Sequence, residues 1–173
     1  MKAYTTIVVS LIALFAFTAC QERYNATEEW RRENEKAFED FASNKEYEAV
    51  SIDGSTAFVY MKYLKHGTGT VNPIETSRIQ IHYSCAYLAG NKAEIDSNFD
   101  SEKPATMAIN RGGANDCILG VRIALQNMVV GDETEVIIPW YLGYGSSTTS
   151  SVRGYSALRF HLQLDSIIPE YIP

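Results

Sequence analysis

Basic residues are in short supply in this chain: 15 Lys and Arg stand against 21 Asp and Glu, a net charge of −6 at pH 7. That deficit speaks against nucleic acid, which rewards a basic surface, and no basic patch relieves it. Histidine is scarce too. His66, His82 and His161 stand at no ligand spacing from the cysteines, so no zinc or other metal site is expected. No Ser-His-Asp arrangement or carboxylate pair presents itself, there is no internal repeat, and nothing calls for a cofactor. The one long apolar run, Ile7 to Phe17, falls short of the roughly 20 residues a membrane-spanning helix needs.

What is present begins with that run. Met1-Lys2, the apolar stretch and the small residues Thr18-Ala19 read as a secretory signal over residues 1–19. The Cys20 that follows resembles the processing box of bacterial lipoproteins, with Phe17 where Leu is commoner. The resemblance implies cleavage before Cys20, lipidation of Cys20 and a membrane anchor in the bacterial cell envelope, on the periplasmic or outer-membrane face. The alternative is an ordinary signal peptide with an incidental cysteine. Of the other two cysteines, Cys85 and Cys117, an oxidising compartment permits a disulfide. Burial as small hydrophobes is an equal reading.

Residues 20–56 are expected to hold a tether and an amphipathic helix over 26–42, capped by Asn25 with Glu28 as its capping-box partner. Trp30, Ala37, Phe38 and Phe41 share one stripe, to dock on the domain or join another copy. From 57 onward the periodicity predicts strands at 57–65, 78–90, 104–110, 133–140 and 156–168, with one short helix over 117–128. On the second strand Ile79, Ile81, Tyr83 and Cys85 face one way and His82 and Ser84 the other. The fold class is therefore α+β, a twisted antiparallel sheet wrapped around one short helix, with the N-terminal amphipathic helix added.

Six segments carry a family likeness in order: "YLKHGTG", "IHYSCAYLAG", "FDSEKP", "ILGVRIALQNMVVGDETEVIIP", "YLGYG" and "LRFHLQLDSI". Together, over residues 58–168, they resemble the FK506-binding-protein (FKBP) family of peptidyl-prolyl cis-trans isomerases. The resemblance implies an FKBP-like domain over 57–173 and an apolar pocket that twists X-Pro bonds without covalent chemistry. Its substrates would be proline-containing exported polypeptides.

Matched to the family's motifs, the pocket would comprise Tyr83, Phe99, Asp100, Ile118, Tyr144 and Phe160. Tyr83, Phe99 and Phe160 would be walls, Asp100 the acidic member, Ile118 a backbone N–H donor and Tyr144 a hydroxyl over the substrate. Tyr83 and Phe160 could equally be core, Phe99 could cover the sheet edge, and Asp100 could close an Asx-turn with Ser101. Two positions depart from the family: Val121 stands at its pocket-floor Trp and Ala105 at a second wall aromatic. These departures keep a second reading open, a weak or inactive peptide-binding or chaperone module. A third is an envelope scaffold lipoprotein. Trp140 and Tyr141, in "EVIIPWYLGYGSS", lie where the family varies and need not face the pocket.

Overall fold

The computed structural model describes residues 24–110 and 116–169. The expected signal segment and Cys20 lie outside them. The described chain falls into two compact units that divide after Arg32. In the first, Glu28 and Arg31 pair one helical turn apart at 3.3 Å. Helix α1 runs over 24–39 and tightens into a 3-10 turn at Asp40–Ser43. Residue 24 is already helical, so Asn25 stands inside the helix rather than at its cap.

The second unit is built on a seven-stranded antiparallel sheet. Its strands are β1 (Glu48–Ser51), β2 (Phe58–Lys65), β3 (Arg78–Tyr87), β4 (Glu94–Ser97), β5 (Ala105–Ala108), β6 (Glu133–Ile138) and β7 (Leu158–Ile168). The order is β1-β2-β6-β7-β3-β4, with β5 also paired to β3. With the helices, this is an α+β fold. Period-two alternation sets which side chains face inward. Leu158, Phe160, Leu162 and Leu164 on β7 are buried, as are Ile79, Ile81 and Cys85 on β3.

Helix α2 (Leu119–Leu125) lies against this inner face with Val121, Ile123 and Leu125 in the core. It comes close to the sheet. A Cβ on Gly120 would stand 2.3 Å from Cγ2 of Ile138, so only glycine fits there. The helix is shorter than the apolar spacing over 117–128 suggests. Ile118 is still extended, at ψ 154°, and the Cys117 N–H is taken by the Ala108 carbonyl at 3.2 Å. At the other end Asn127 and Met128 close turns onto Ala124 and Leu125. Met128 is fully buried although it lies beyond the helix.

Strands β1 and β4 have no counterpart among the expected elements. Each is four residues long with a single aliphatic large enough to pack, Val50 in one and Ile95 in the other. That is too little alternation to register against polar neighbours.

The C-terminal half of α1 packs on the opposite face of the sheet. Phe38 is buried with Tyr60, Leu88, Ile137 and Ala157, and Ala37 and Phe41 pack beside it. The Phe38 and Tyr60 rings stand 5.0 Å apart. Asn34, fully buried, accepts the Ala157 backbone N–H on Oδ1 at 2.9 Å, which satisfies both polar groups away from water. This half of the helix is therefore an integral layer of the domain. Phe38→Ala should lower the unfolding free energy by about 3 to 5 kcal/mol in a single urea transition. A loss below about 1 kcal/mol, or a separate transition for the helix, would contradict this packing.

Candidate active site

The outer edge of β3 is shared between two strands. Its first half, Arg78 to Ile81, pairs with β5, and Ser84 to Ala86 pair with β4. Between them sits Asn98. Its N–H donates to the Tyr83 carbonyl at 2.9 Å, its Oδ1 accepts the Tyr83 N–H at 2.6 Å, and its Nδ2 donates to the Ile81 carbonyl at 3.1 Å. Backbone groups that would be orphaned where the partners change are thereby paired. The two partner strands part at this wedge.

A cavity of about 210 Å³ opens on the inner face beside it. Tyr83 and Phe160 form walls from β3 and β7, Val121 forms the floor from α2, and Ile118 and Tyr144 border it. From β4 come Ile95 and Asp96, and from β5 Met107. Register explains the β4 contribution. Cys85 pairs with Asp96 and Ala86 with Glu94, so Ile95 is the extra residue of a bulge. A bulge re-aims side chains locally, and both Ile95 and Asp96 reach the cavity.

The Tyr83 hydroxyl donates to Asp96 Oδ2 at 2.6 Å. Burial raises the Tyr83 pKa above its ordinary 10.0, and the hydrogen bond to the carboxylate raises it further. The phenol thus stays protonated and keeps donating. Burial likewise raises Tyr144, with the thiol of Cys85 and the charge of Asp96 adding to it. Tyr144 is 43% exposed on the loop after the 3-10 turn Trp140–Leu142. The loop reverses at Gly145, whose φ of +76° suits glycine. The Ile118 N–H finds no acceptor among the described residues. Among the described residues the lining includes Asp96 and Asp116 but no Lys, Arg or His.

Of the residues anticipated from sequence, Tyr83, Ile118, Tyr144 and Phe160 come together around this cavity, with Val121 below them. Phe99 and Asp100 do not. Phe99 lies past β4, stacked on the His161 ring at 4.4 Å and near His82 at 6.1 Å. Those histidines stand on the face opposite Tyr83. Asp100 is exposed. The reason is a near-repeat: "IDS" at 95–97 and "FDS" at 99–101 both fit the motif, but only the first is paired to β3. Asn98 then carries the chain over the edge. Ala105 stands opposite Ile81 on β5, and Met107, two residues on, reaches the cavity instead. Neither Asp96 nor Met107 stands out in the sequence; the pairing of β4 and β5 to β3, which brings each to the inner face, was the missing signal.

The FKBP-type peptidyl-prolyl cis-trans isomerase family profile matches residues 69–165. The chain belongs to that family. It is 30% identical over 136 residues to the FKBP-type peptidyl-prolyl cis-trans isomerase FkpA of Aeromonas hydrophila, covering 78% of this chain and 47% of that one. It is 32% identical over 88 residues to peptidyl-prolyl cis-trans isomerase FKBP10 of Homo sapiens, 51% of this chain but 14% of the relative. The chain thus spans under half the length of either. Crystal structures share the fold. FkpA from Escherichia coli superposes with a TM-score of 0.70 at 21% identity, over 91% of this chain and 70% of that one. A peptidyl-prolyl cis-trans isomerase from Pseudomonas syringae pv. tomato superposes at 0.65 and 21% identity, over 82% of this chain and 95% of that one.

Cys85 and Cys117 both border the cavity as free, buried thiols. Burial, with Asp96 adding to it, pushes Cys85 up from an ordinary 9.0 to about 12. Burial pushes Cys117 up to about 11, with Arg122 opposing and Asp116 adding. In a Cys20→Ser chain, both thiols should resist Ellman's reagent at pH 8 while folded and react on denaturation. A raised folded-state pKa means a stabilising contribution fully present below pH 9 and lost as pH rises through 11 to 12. Rapid labelling of the folded protein at pH 8 would contradict this environment.

Proposed function

We propose that this chain accelerates cis-trans isomerisation of X-Pro bonds in exported polypeptides, using the cavity between Tyr83, Ile118, Val121, Tyr144 and Phe160. Rotation about a peptide bond has a barrier of about 18 to 20 kcal/mol, and proline leaves cis and trans close in energy. No bond to the protein has to form. An apolar cavity that takes the prolyl ring strips water from the amide and disfavours the charge-separated resonance form that keeps it planar. Walls that fit the twisted amide better than either planar form lower the barrier.

In this reading Tyr83 and Phe160 flank the prolyl ring, and Ile118 offers its N–H to a substrate carbonyl. Tyr144 lends a hydroxyl from the rim. Asp96 takes the acidic role first expected of Asp100, holding the Tyr83 phenol and facing the rotating carbonyl. The observation that carries the reading is the Tyr83–Asp96 pair, 2.6 Å apart, at the border of an otherwise largely apolar cavity. Delivery to the cell envelope by the signal over 1–19 and anchoring through lipidated Cys20 belong to the same proposal; mass spectrometry of membrane-extracted protein tests them.

Asp96→Asn should lower kcat/KM on a proline peptide about tenfold, the worth of one charge-assisted hydrogen bond of about 1.4 kcal/mol. Asp100→Asn should leave it unchanged. The protease-coupled assay reads both, and the reverse ranking would reject this assignment.

The floor favours a second reading, binding without effective turnover. Val121 is aliphatic and buried at 4% exposure. Relative to an indole it forgoes on the order of 100 Å² of apolar wall, about 2 to 3 kcal/mol. If that acted wholly on the transition state, the rate would fall about 30- to 160-fold. Val121→Trp should then raise kcat/KM by at least about tenfold; no gain would remove this reading.

A further inference from the structure

The loop that sends Tyr144 to the cavity sends Trp140 and Tyr141 elsewhere. They form one wall of a second groove, about 290 Å³, outside the cavity described above. Phe38, Phe58 and Tyr60 form its other wall. The Phe58 and Tyr60 rings meet edge to face at 5.4 Å, as do Trp140 and Tyr141 at 5.5 Å. The Trp140 Nε1–H donates to Glu35 Oε1 at 3.2 Å, which holds the indole and the carboxylate together at the groove. Glu39, exposed, lies one helical turn on along the same rim.

Among the described residues, five aromatic side chains and two carboxylates line this groove, and no Lys, Arg or His does. Ring faces and carboxylates both present negative potential, and both attract a cation that leaves water only in part. The cluster is not closed: Tyr141 is 54% exposed. Its volume of about 290 Å³ falls just short of ligand clefts of about 300 to 1,000 Å³ and suits one long side chain. The chain already makes a contact of this kind, with Lys62 Nζ 5.9 Å from the centre of the Tyr47 ring.

We propose that this groove binds a lysine or arginine side chain of an extended polypeptide, between Trp140–Tyr141 and Phe58–Tyr60, with Glu35 and Glu39 as counter-charges. The site is independent of proline turnover. A polypeptide would dock here through charge and aromatic contact, whatever occupies the cavity.

The test is a titration of the isotope-labelled protein with a proline-free hexapeptide containing two lysines, and with its glutamate counterpart. The lysine peptide should shift the Trp140 indole N–H and the Tyr141 ring signals saturably and leave Tyr83 in place. The glutamate peptide should shift none of them. Glu35→Gln with Glu39→Gln keeps the hydrogen-bond acceptors and the packing, and should weaken binding about three- to tenfold. Trp140→Leu should abolish it. Equal shifts from both peptides, an unchanged affinity in the double variant, or no shift at Trp140 at millimolar lysine peptide would each overturn the proposal.

Discussion

Everything at the site depends on how the outer edge of β3 is completed. A ten-residue strand could be covered by one partner, and its inner face would then be sealed like the rest of the sheet. Instead β5 takes one half and β4 the other. The change-over leaves the backbone groups of Tyr83 and one of Ile81 in need of partners, and Asn98 supplies all three. Unpaired, each such group would cost about 1 to 3 kcal/mol, so a gap here would close or fill with water. With Asn98 in place the edge can part, and Tyr83 stands beside a cavity rather than inside a packed wall.

The same edge sets the electrostatics. Pairing opposite the inward-facing Cys85 turns Asp96 toward the Tyr83 phenol, and burial together with the hydrogen bond to that carboxylate keeps the phenol protonated. A phenol whose single proton is committed to a carboxylate is held as a fixed wall, which suits a reaction in which no bond is made and only the shape and polarity of an amide change. The neighbouring thiols of Cys85 and Cys117 are quiet for the same reason, because burial disfavours their charged forms. The loop after β6 is shared between two hollows: Tyr144 lines the cavity, and Trp140 and Tyr141 line a groove walled by the amphipathic helix.

Much of this was legible in the residues. The long strands β3 and β7 alternate over eight or more positions, and their inward faces, including Tyr83 and Phe160, follow directly from parity. Ile118, Val121 and Tyr144 could be placed because their motifs have no competitor nearby. The acidic member could not. "IDS" and "FDS" lie four residues apart, the phenylalanine makes the second the better match by type, and only strand pairing separates them. Phe99 has its own use, stacking against His161 where the chain crosses the sheet edge. The strands β1 and β4 escaped notice because four polar-rich residues acquire a strand's geometry from their neighbours, a tertiary effect no local pattern carries. The shortening of α2 has a similar origin, in the bond that draws Cys117 to Ala108.

In the proposed reaction a prolyl ring enters the cavity on the inner face, over Val121, with Tyr83 and Phe160 on either side. Intermolecular nuclear Overhauser contacts between the labelled protein and a short Ala-Pro peptide address it most directly. Contacts are expected from the prolyl ring protons to the rings of Tyr83, Tyr144 and Phe160 and to the Val121 methyls, with none to Phe99. Contacts to Phe99 and His161 on the outer face, or to Trp140 alone, would contradict it.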